Sequence, residues 1–265
     1  MYPFNFHRPA SLDEALACYR AADDGLYLAG GQTLIPTLKQ RLAAPSDLID
    51  LARLPELTGI DVRDDRVSIG AFTRHADVAN DPAVRRVLPV LADLAGQIGD
   101  RQVRAMGTLG GSVANSDPAA DYPAALMGLG ATVHTNTRSI AADDFFLNLF
   151  ETALVAGELI VRVDFPVPRR AAYRKFPNPA SRYAVVGVLV AEFPDAVRVG
   201  ITGAGPCAFR GSALEAALQQ RLEPASLDAV DVPDAGFNAD LHASAAYRAH
   251  LVKVMARRAV AALAG

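Results

Sequence analysis

Two segments of this chain combine the residue types with which a backbone holds an anion. The first is Ala29-Gly30-Gly31-Gln32-Thr33-Leu34, and the second is Gly107-Thr108-Leu109-Gly110-Gly111. Each has a Gly-Gly pair beside small hydroxyl or amide side chains. Glycine lets backbone approach a ligand closely and adopt positive φ. Successive N–H groups in such a turn make a concave anion site, and two of these can grip one diphosphate from both sides. Ser112-Val113-Ala114-Asn115-Ser116-Asp117-Pro118-Ala119-Ala120-Asp121 follows the second segment, and the carboxylate of Asp121 suits a sugar hydroxyl rather than a phosphate. Either Gly-Gly pair alone could be an ordinary turn. Their matched chemistry, each beside an apolar strand, favours a ligand.

Other chemistries find little support. No GxGxxG follows the first strand and no GxxxxGK[ST] is present, so neither a Rossmann nor a P-loop fingerprint applies. Gly-x-Ser-x-Gly is absent. Cys18 and Cys207 are far apart. An iron–sulfur cluster takes about four thiolates, and a structural cysteine zinc site is equally excluded. The five His are scattered without metal-ligand spacing, so no metal site is expected. Cys18 reads as a small buried helix residue. Asp143-Asp144 reads as a cap or solvated turn. Arg101, Arg104 and Arg138 are either phosphate partners or ordinary surface arginines. Tyr183, before an apolar strand, is either a half-buried edge aromatic or a stacking platform for a flat heterocycle.

These residues need elements to position them. Ser11-Leu12-Asp13-Glu14 is a capping box opening a helix through about Ala22. Tyr27-Leu28-Ala29 reads as a strand, and a helix follows from Thr33 to Arg41 with Pro36 in its first turn. Strand, glycine turn and helix start form a favourable geometry for phosphate. Leu48–Leu51, Arg66–Ala71, Ala131–Thr135 and Leu159–Pro166 read as strands. Arg74–Asn80 is a short helix, and Asp81-Pro82 opens another running to Leu88 and on past Pro89 to Ala95. Pro166-Val167-Pro168-Arg169-Arg170 is a candidate linker. Beyond it, 184–193 and 196–204 are strand-like, while 212–220 and 247–264 are helical. The pattern is α+β.

At 265 residues, 51% apolar and 21% charged, the chain has material for a substantial core. A net charge of −3 gives no reason to expect nucleic acid as a partner. No apolar run reaches the ~18 residues of a membrane span. The first residues lack the basic start and apolar stretch of a signal peptide, so a cytoplasmic protein is expected.

Taken together, these residues resemble the flavoprotein (medium) subunit of molybdenum hydroxylases, the family of aerobic carbon monoxide dehydrogenase and xanthine dehydrogenase. The resemblance starts at Phe6-His7-Arg8-Pro9-Ala10-Ser11 and includes both glycine segments. It is most specific at Val103-Arg104-Ala105-Met106-Gly107-Thr108-Leu109-Gly110-Gly111 through Asp117-Pro118-Ala119-Ala120-Asp121. It ends with 242–248 and 254–259. It implies an α+β, two-lobed, vanillyl-alcohol-oxidase-like (PCMH-type) FAD-binding domain over 1–168, with lobes of about 1–56 and 57–168. A C-terminal domain of the CO dehydrogenase flavoprotein type would cover 171–265.

The resemblance implies one FAD per chain, held non-covalently because no His in the first segment suits a covalent link. Cofactor contacts are expected from Ala29, Gly30, Gly31, Gln32, Thr33, Leu34, Gly107, Thr108, Leu109, Gly110, Gly111, Asp117, Asp121, Val161, Lys175 and Tyr183. The two segments would hold the diphosphate through backbone N–H groups, Asp121 the polar middle of the cofactor, and Tyr183 the isoalloxazine. Relatives carry further basic residues after the position of Phe176, where this chain reads Pro177-Asn178-Pro179. Lys175 is left as the basic contact of that loop. The implied partners are a molybdopterin-binding large subunit and a 2Fe-2S small subunit, in a dimer of heterotrimers, with NAD, quinone or oxygen as external electron acceptor. No side chain is expected to act as nucleophile or general acid. The alternatives are a free-standing FAD oxidoreductase and a cofactor-free scaffold.

Overall fold

In the computed structural model, which describes residues 1–263, the sheets follow one another along the chain. The first contains β1 (Asn5–His7), β2 (Gly25–Leu28) and β3 (Asp47–Asp50) in the order β1-β3-β2, with parallel pairing. Helix α1 (Leu12–Ala21) precedes β2, and α2 (Leu34–Lys39) follows it. The capping box works as its residue types require. Ser11 Oγ accepts from the Glu14 N–H at 3.2 Å, and the Glu14 carboxylate returns to the Ala10 N–H at 2.7 Å. His7 pairs with Asp47 at 2.6 Å and Arg8 with Asp50 at 3.1 Å, tying the chain start to β3.

The second sheet is antiparallel. It comprises β4 (Ile60–Val62), β5 (Arg66–Gly70), β6 (Thr132–Thr135), β7 (Ser139–Ala141) and a long return strand pairing with both β5 and β6. Between β5 and β6 run α3 (His75–Asn80), α4 (Pro82–Val87), α5 (Pro89–Gly96), α6 (Arg101–Met106), α7 (Leu109–Asn115) and α8 (Asp121–Leu129). Asp81 caps α4 by accepting from Ala83 and Val84, with Pro82 in the first position. A short hairpin, β8 (Phe146–Asn148) and β9 (Glu151–Thr152), precedes the return strand β10 (Ile160–Pro166). The sheet order is β4-β5-β10-β6-β7.

Residues 167–169 lead into the third sheet, formed by β11 (Arg170–Pro177), β12 (Ala184–Glu192), β13 (Val197–Thr202) and β14 (Phe209–Arg210) in sequential antiparallel order. Helices α9 (Ser212–Gln220) and α10 (Ala245–Leu263) complete it. The predicted end of the last helix, Ala264, lies outside the described residues.

Helix α8 is buried at every position, as a helix apolar on all sides must be. It lies against β12 and β13 as well as α5 and α7. The approach to β13 is so close that a Cβ at Gly200 would run into the Ala124 carbonyl. One core therefore spans the second sheet, its helices and α8, reaching Leu189 and Ala191 of β12, while separate cores lie under α10 and beside α1. Asp143 is neither a cap nor merely solvated. It bridges Arg198 (2.6 Å) and Arg210 (3.1 Å) of the third sheet. Cys18 is half-buried on α1 rather than buried. No helix among the described residues is long and apolar enough to cross a membrane.

Candidate functional site

A cleft of about 650 Å³, within the size range of small-molecule and cofactor sites, opens where the first two sheets meet. Its walls are the turn from β2 to α2, the turns before α3 and α7, the beginnings of α8 and β10, and the loop ending at Tyr183.

The two glycine segments touch each other. A Cβ at Gly30 would collide with the Met106 carbonyl and come within 2.8 Å of the Gly107 Cα. Only a residue without a side chain permits that approach. Gly31 adopts φ +70°, and a Cβ there would also meet the Ile35 side chain at 2.8 Å. The backbone N–H groups of Gly30, Gly31, Gln32, Thr33 and Leu34 have no acceptor among the described residues. The next amide, Ile35, closes back on the Gly31 carbonyl at 3.0 Å. A row of free donors at a strand-to-helix turn is what a diphosphate requires. Ala29 through Leu34 all line the cleft.

The second segment is built differently from the expected N–H-bearing loop. Leu109 to Asn115 is helical, and Thr108 is its N-cap, its hydroxyl accepting from the Gly111 N–H at 3.2 Å. The Leu109 N–H donates to the Thr73 carbonyl (3.0 Å) and that of Gly110 to the Ala71 carbonyl (2.8 Å). A Cβ at Gly110 would stand 2.5 Å from the Ala71 Cβ. Here the glycine serves close packing of a helix on the chain leaving β5. Gly107, Thr108, Gly110 and Gly111 line the cleft, while Leu109 is wholly buried in the core. The N–H groups of Leu109, Gly110 and Gly111 are thus taken by the protein itself.

Beyond the second segment, Asp117, Asp121 and Tyr183 also line the cleft. Asp117 Oδ1 accepts from the Ala119 N–H at 2.8 Å, and burial pushes its carboxyl up. Asp121 is buried and saturated, accepting from the Tyr173 hydroxyl at 2.6 Å and from Lys175 Nζ at 2.9 and 3.1 Å. Burial pushes this carboxyl up, opposed by the Lys175 charge and the Tyr173 hydroxyl. Lys175 does not line the cleft. Its remaining donors go to the carbonyls of Gln97 (3.0 Å) and Arg182 (2.8 Å). Arg104 holds the same turn through Ile98 O (2.9 Å) and Gly99 O (3.0 Å), and Arg182 also reaches Gly99 O (3.2 Å). Arg104 is a carbonyl clamp, not a free phosphate partner, and Arg101 is exposed.

Tyr183 stands just before β12 and is 44% exposed. Partial burial and then the neighbouring Asp117 and Asp121 charges push its pKa up. Val161 is half-buried against the core beside α1, and its carbonyl accepts from the Ala71 N–H at 2.9 Å. Its neighbours Leu159 and Ile160 line the cleft instead.

Sequence reasoning missed several lining residues. His75, under Gly107, is 4% exposed, and burial followed by the Arg104 charge holds its pKa down at about 4. Glu158 is pulled down to about 2, chiefly by Arg138. Its oxygens accept from Arg138, Thr135, Thr137 and the Val155 N–H, so it braces the wall. Arg138 is thereby a structural partner too. Among the described residues no group of three or more His, Cys, Asp or Glu could hold a metal ion.

A family model described as "FAD binding domain in molybdopterin dehydrogenase" matches residues 2–168. The medium chain of glyceraldehyde dehydrogenase from Sulfolobus acidocaldarius is 40% identical over 199 residues, 72% of this chain and 71% of the relative. The nicotine 6-hydroxylase medium subunit of Paenarthrobacter nicotinovorans is 34% identical over 267 residues, covering 95% and 94% of the two chains. A crystal structure of Cu,Mo-CO dehydrogenase in its cyanide-inactivated form superposes with TM-score 0.91 at 32% identity, covering 99% of both chains. With a free N–H row and a matching cleft already in place, the chain belongs to the FAD-binding family of molybdopterin dehydrogenases, as an FAD-carrying oxidoreductase subunit.

Proposed function

We propose that this chain relays electrons in a molybdenum hydroxylase complex. A molybdopterin-binding large subunit would oxidise the substrate, and a 2Fe-2S small subunit would pass electrons to FAD on this chain. FAD would then reduce an external acceptor such as NAD, quinone or oxygen. The observation that carries this reading is the row of N–H donors from Gly30 to Leu34 without acceptors among the described residues, lining a cleft that Tyr183 also lines. The donors would hold the diphosphate, Asp117 and the Asp121 cluster would shape the polar middle, and Tyr183 would lie on the isoalloxazine. When bound, FAD supplies the one- and two-electron chemistry. The chain's residues bind and orient it without forming a covalent bond to it.

On this reading the chain divides into an FAD-binding domain over 1–168, with lobes 1–56 and 57–168, and a C-terminal domain from 171; the end of the family match at residue 168 supports the boundary between the domains. The relatives' names differ in substrate, which supports placing substrate choice on the large subunit. A dimer of heterotrimers in the cytoplasm is the assembly this reading favours, and the free thiols Cys18 and Cys207 suit a reducing compartment. The relay reading predicts that the isolated, flavin-loaded chain passes electrons from a chemical reductant to an acceptor. Its flavin would be bleached by substrate only after reconstitution with both partner chains. Substrate-dependent bleaching of the isolated chain would instead establish a free-standing oxidoreductase. A chain that takes up no FAD would be a scaffold.

A further inference from the structure

His75 is a buried polar residue that the packing leaves unfinished. It opens α3, where its N–H donates to the Gly107 carbonyl at 2.9 Å. Its ring is pressed between Gly107 and Tyr122. A Cβ at Gly107 would lie 2.7 Å from Nε2, and the Tyr122 ring centroid is 5.4 Å away, tilted by 48°. The residue is 4% exposed and lines the cleft, yet its buried Nδ1 has no hydrogen-bond partner among the described residues. No side-chain bond is made from Nε2 to any described residue either.

A buried N–H without an acceptor is among the rarest defects of folded proteins, whereas a bare acceptor is tolerated more readily. The sealed Nδ1 therefore takes the bare position and the proton sits on Nε2, the edge beside Gly107. Protonation of both nitrogens is opposed by burial and by Arg104. His75 thus offers one N–H without adding charge. Its place along the cleft is also defined. Gly107 adjoins Gly30, and Tyr122 adjoins Asp121. The ring lies between the N–H row and Asp121.

We propose that His75 is a cofactor-positioning residue whose Nε2–H donates to a hydroxyl or phosphate oxygen in the ribityl–diphosphate span of FAD. It would set how far the cofactor slides between the Gly30–Leu34 donors and Tyr183. The proposal rests on the reading of this cleft as the FAD site.

The test is an ¹⁵N-imidazole NMR titration of the 265-residue chain with FAD, with His75 assigned by the loss of its signal in His75→Gln. The expected result is an Nε2–H cross-peak that shifts and exchanges more slowly, saturating at one equivalent of FAD. In parallel, His75→Phe should weaken FAD about three- to tenfold, the usual worth of one neutral hydrogen bond. His75→Gln, which keeps a donor, should recover most of that loss. An unmoved His75 signal in a chain that binds FAD would overturn the proposal and leave the site reading intact. A chain whose Gly30–Leu34 amides also ignore FAD would overturn both. Equal weakening by Phe and Gln with an unmoved imidazole would reduce His75 to a packing residue.

Discussion

Residues 29–34 and 107–111 lie against each other at one wall of the cleft and share a Gly-Gly pair, but their backbones are used differently. In the first, the N–H groups of Gly30 to Leu34 have no acceptor among the described residues. In the second, Leu109 and Gly110 donate to the chain leaving β5, and Gly111 donates to its own cap, Thr108. The same dipeptide leaves a row of donors at the cleft in one place and makes a tight helix start in the other. If the proposed site holds FAD, altering the first segment should cost mainly cofactor binding. The second belongs to a frame with His75, Asp121 and Lys175, and altering it should cost folding stability first.

Several substitutions would sharpen or break this contrast. The largest expected effect is at Asp121. Asp121→Ala strands the buried Lys175 charge, and breaking a buried pair costs about 3–5 kcal/mol. Urea denaturation should show that loss in the FAD-free chain. An unchanged midpoint would mean the pair carries no structural load.

His75 gives a pH signature of similar size. Its folded pKa is held at about 4, below the usual 6.5. Between these values the unfolded chain binds a proton that the native chain refuses, so stability falls as pH drops from 6.5 towards 4. Arg104 and the Tyr122 ring are the groups that face it. The loss should total about 3 kcal/mol. Denaturation of the FAD-free chain at pH 7 and pH 4.5 should show a smaller difference in His75→Phe than in the parent. Identical differences would place the acid sensitivity elsewhere.

Gly110→Val forces a branched side chain onto Ala71 and should cost up to about 3 kcal/mol of stability. Gly31→Ala, at φ +70°, should cost only about 1–2 kcal/mol. It should nonetheless weaken FAD by at least about tenfold, because the free donors no longer converge. The two variants should rank oppositely in thermal melting and in FAD titration, and a shared ranking would erase the distinction between the segments. The smallest effect is expected at Thr108→Val, where loss of the helix cap costs about 1 kcal/mol, measured as a small drop in melting temperature with FAD affinity largely retained.

Much of the frame could be read from local chemistry. Ser11 and Glu14, and Asp81 with Pro82, announce helix starts that depend on neighbouring residues alone. The first glycine turn was equally legible, since strand, Gly-Gly and helix start are contiguous. The second was not. Gly110 and Gly111 are poor helix formers, and α7 exists because Thr108 caps it and Ala71 and Thr73 accept its amides from across the sequence. Helix α8 is not legible in the sequence because from Tyr122 onward it is apolar on every side and offers no periodicity to read. Asp121 and Lys175 read in the sequence as separate cofactor contacts. Their pairing depends on β11 bringing Tyr173 and Lys175 to the Asp121 side chain, which spacing does not encode. His75 carried no motif at all. Its burial under Gly107 is a product of the tertiary fold.

In the proposed site FAD's diphosphate would rest on the backbone of Gly30–Leu34 and not on the amides of Leu109, Gly110 and Gly111, which the protein itself engages. The most direct measurement is residue-resolved amide NMR of the chain with and without FAD. Large shifts and slowed hydrogen exchange are expected at Gly30, Gly31, Gln32, Thr33 and Leu34, with Leu109 and Gly110 already protected before FAD is added. Unchanged amides at Gly30–Leu34 in a chain that binds FAD, or new protection confined to Leu109 and Gly110, would contradict it.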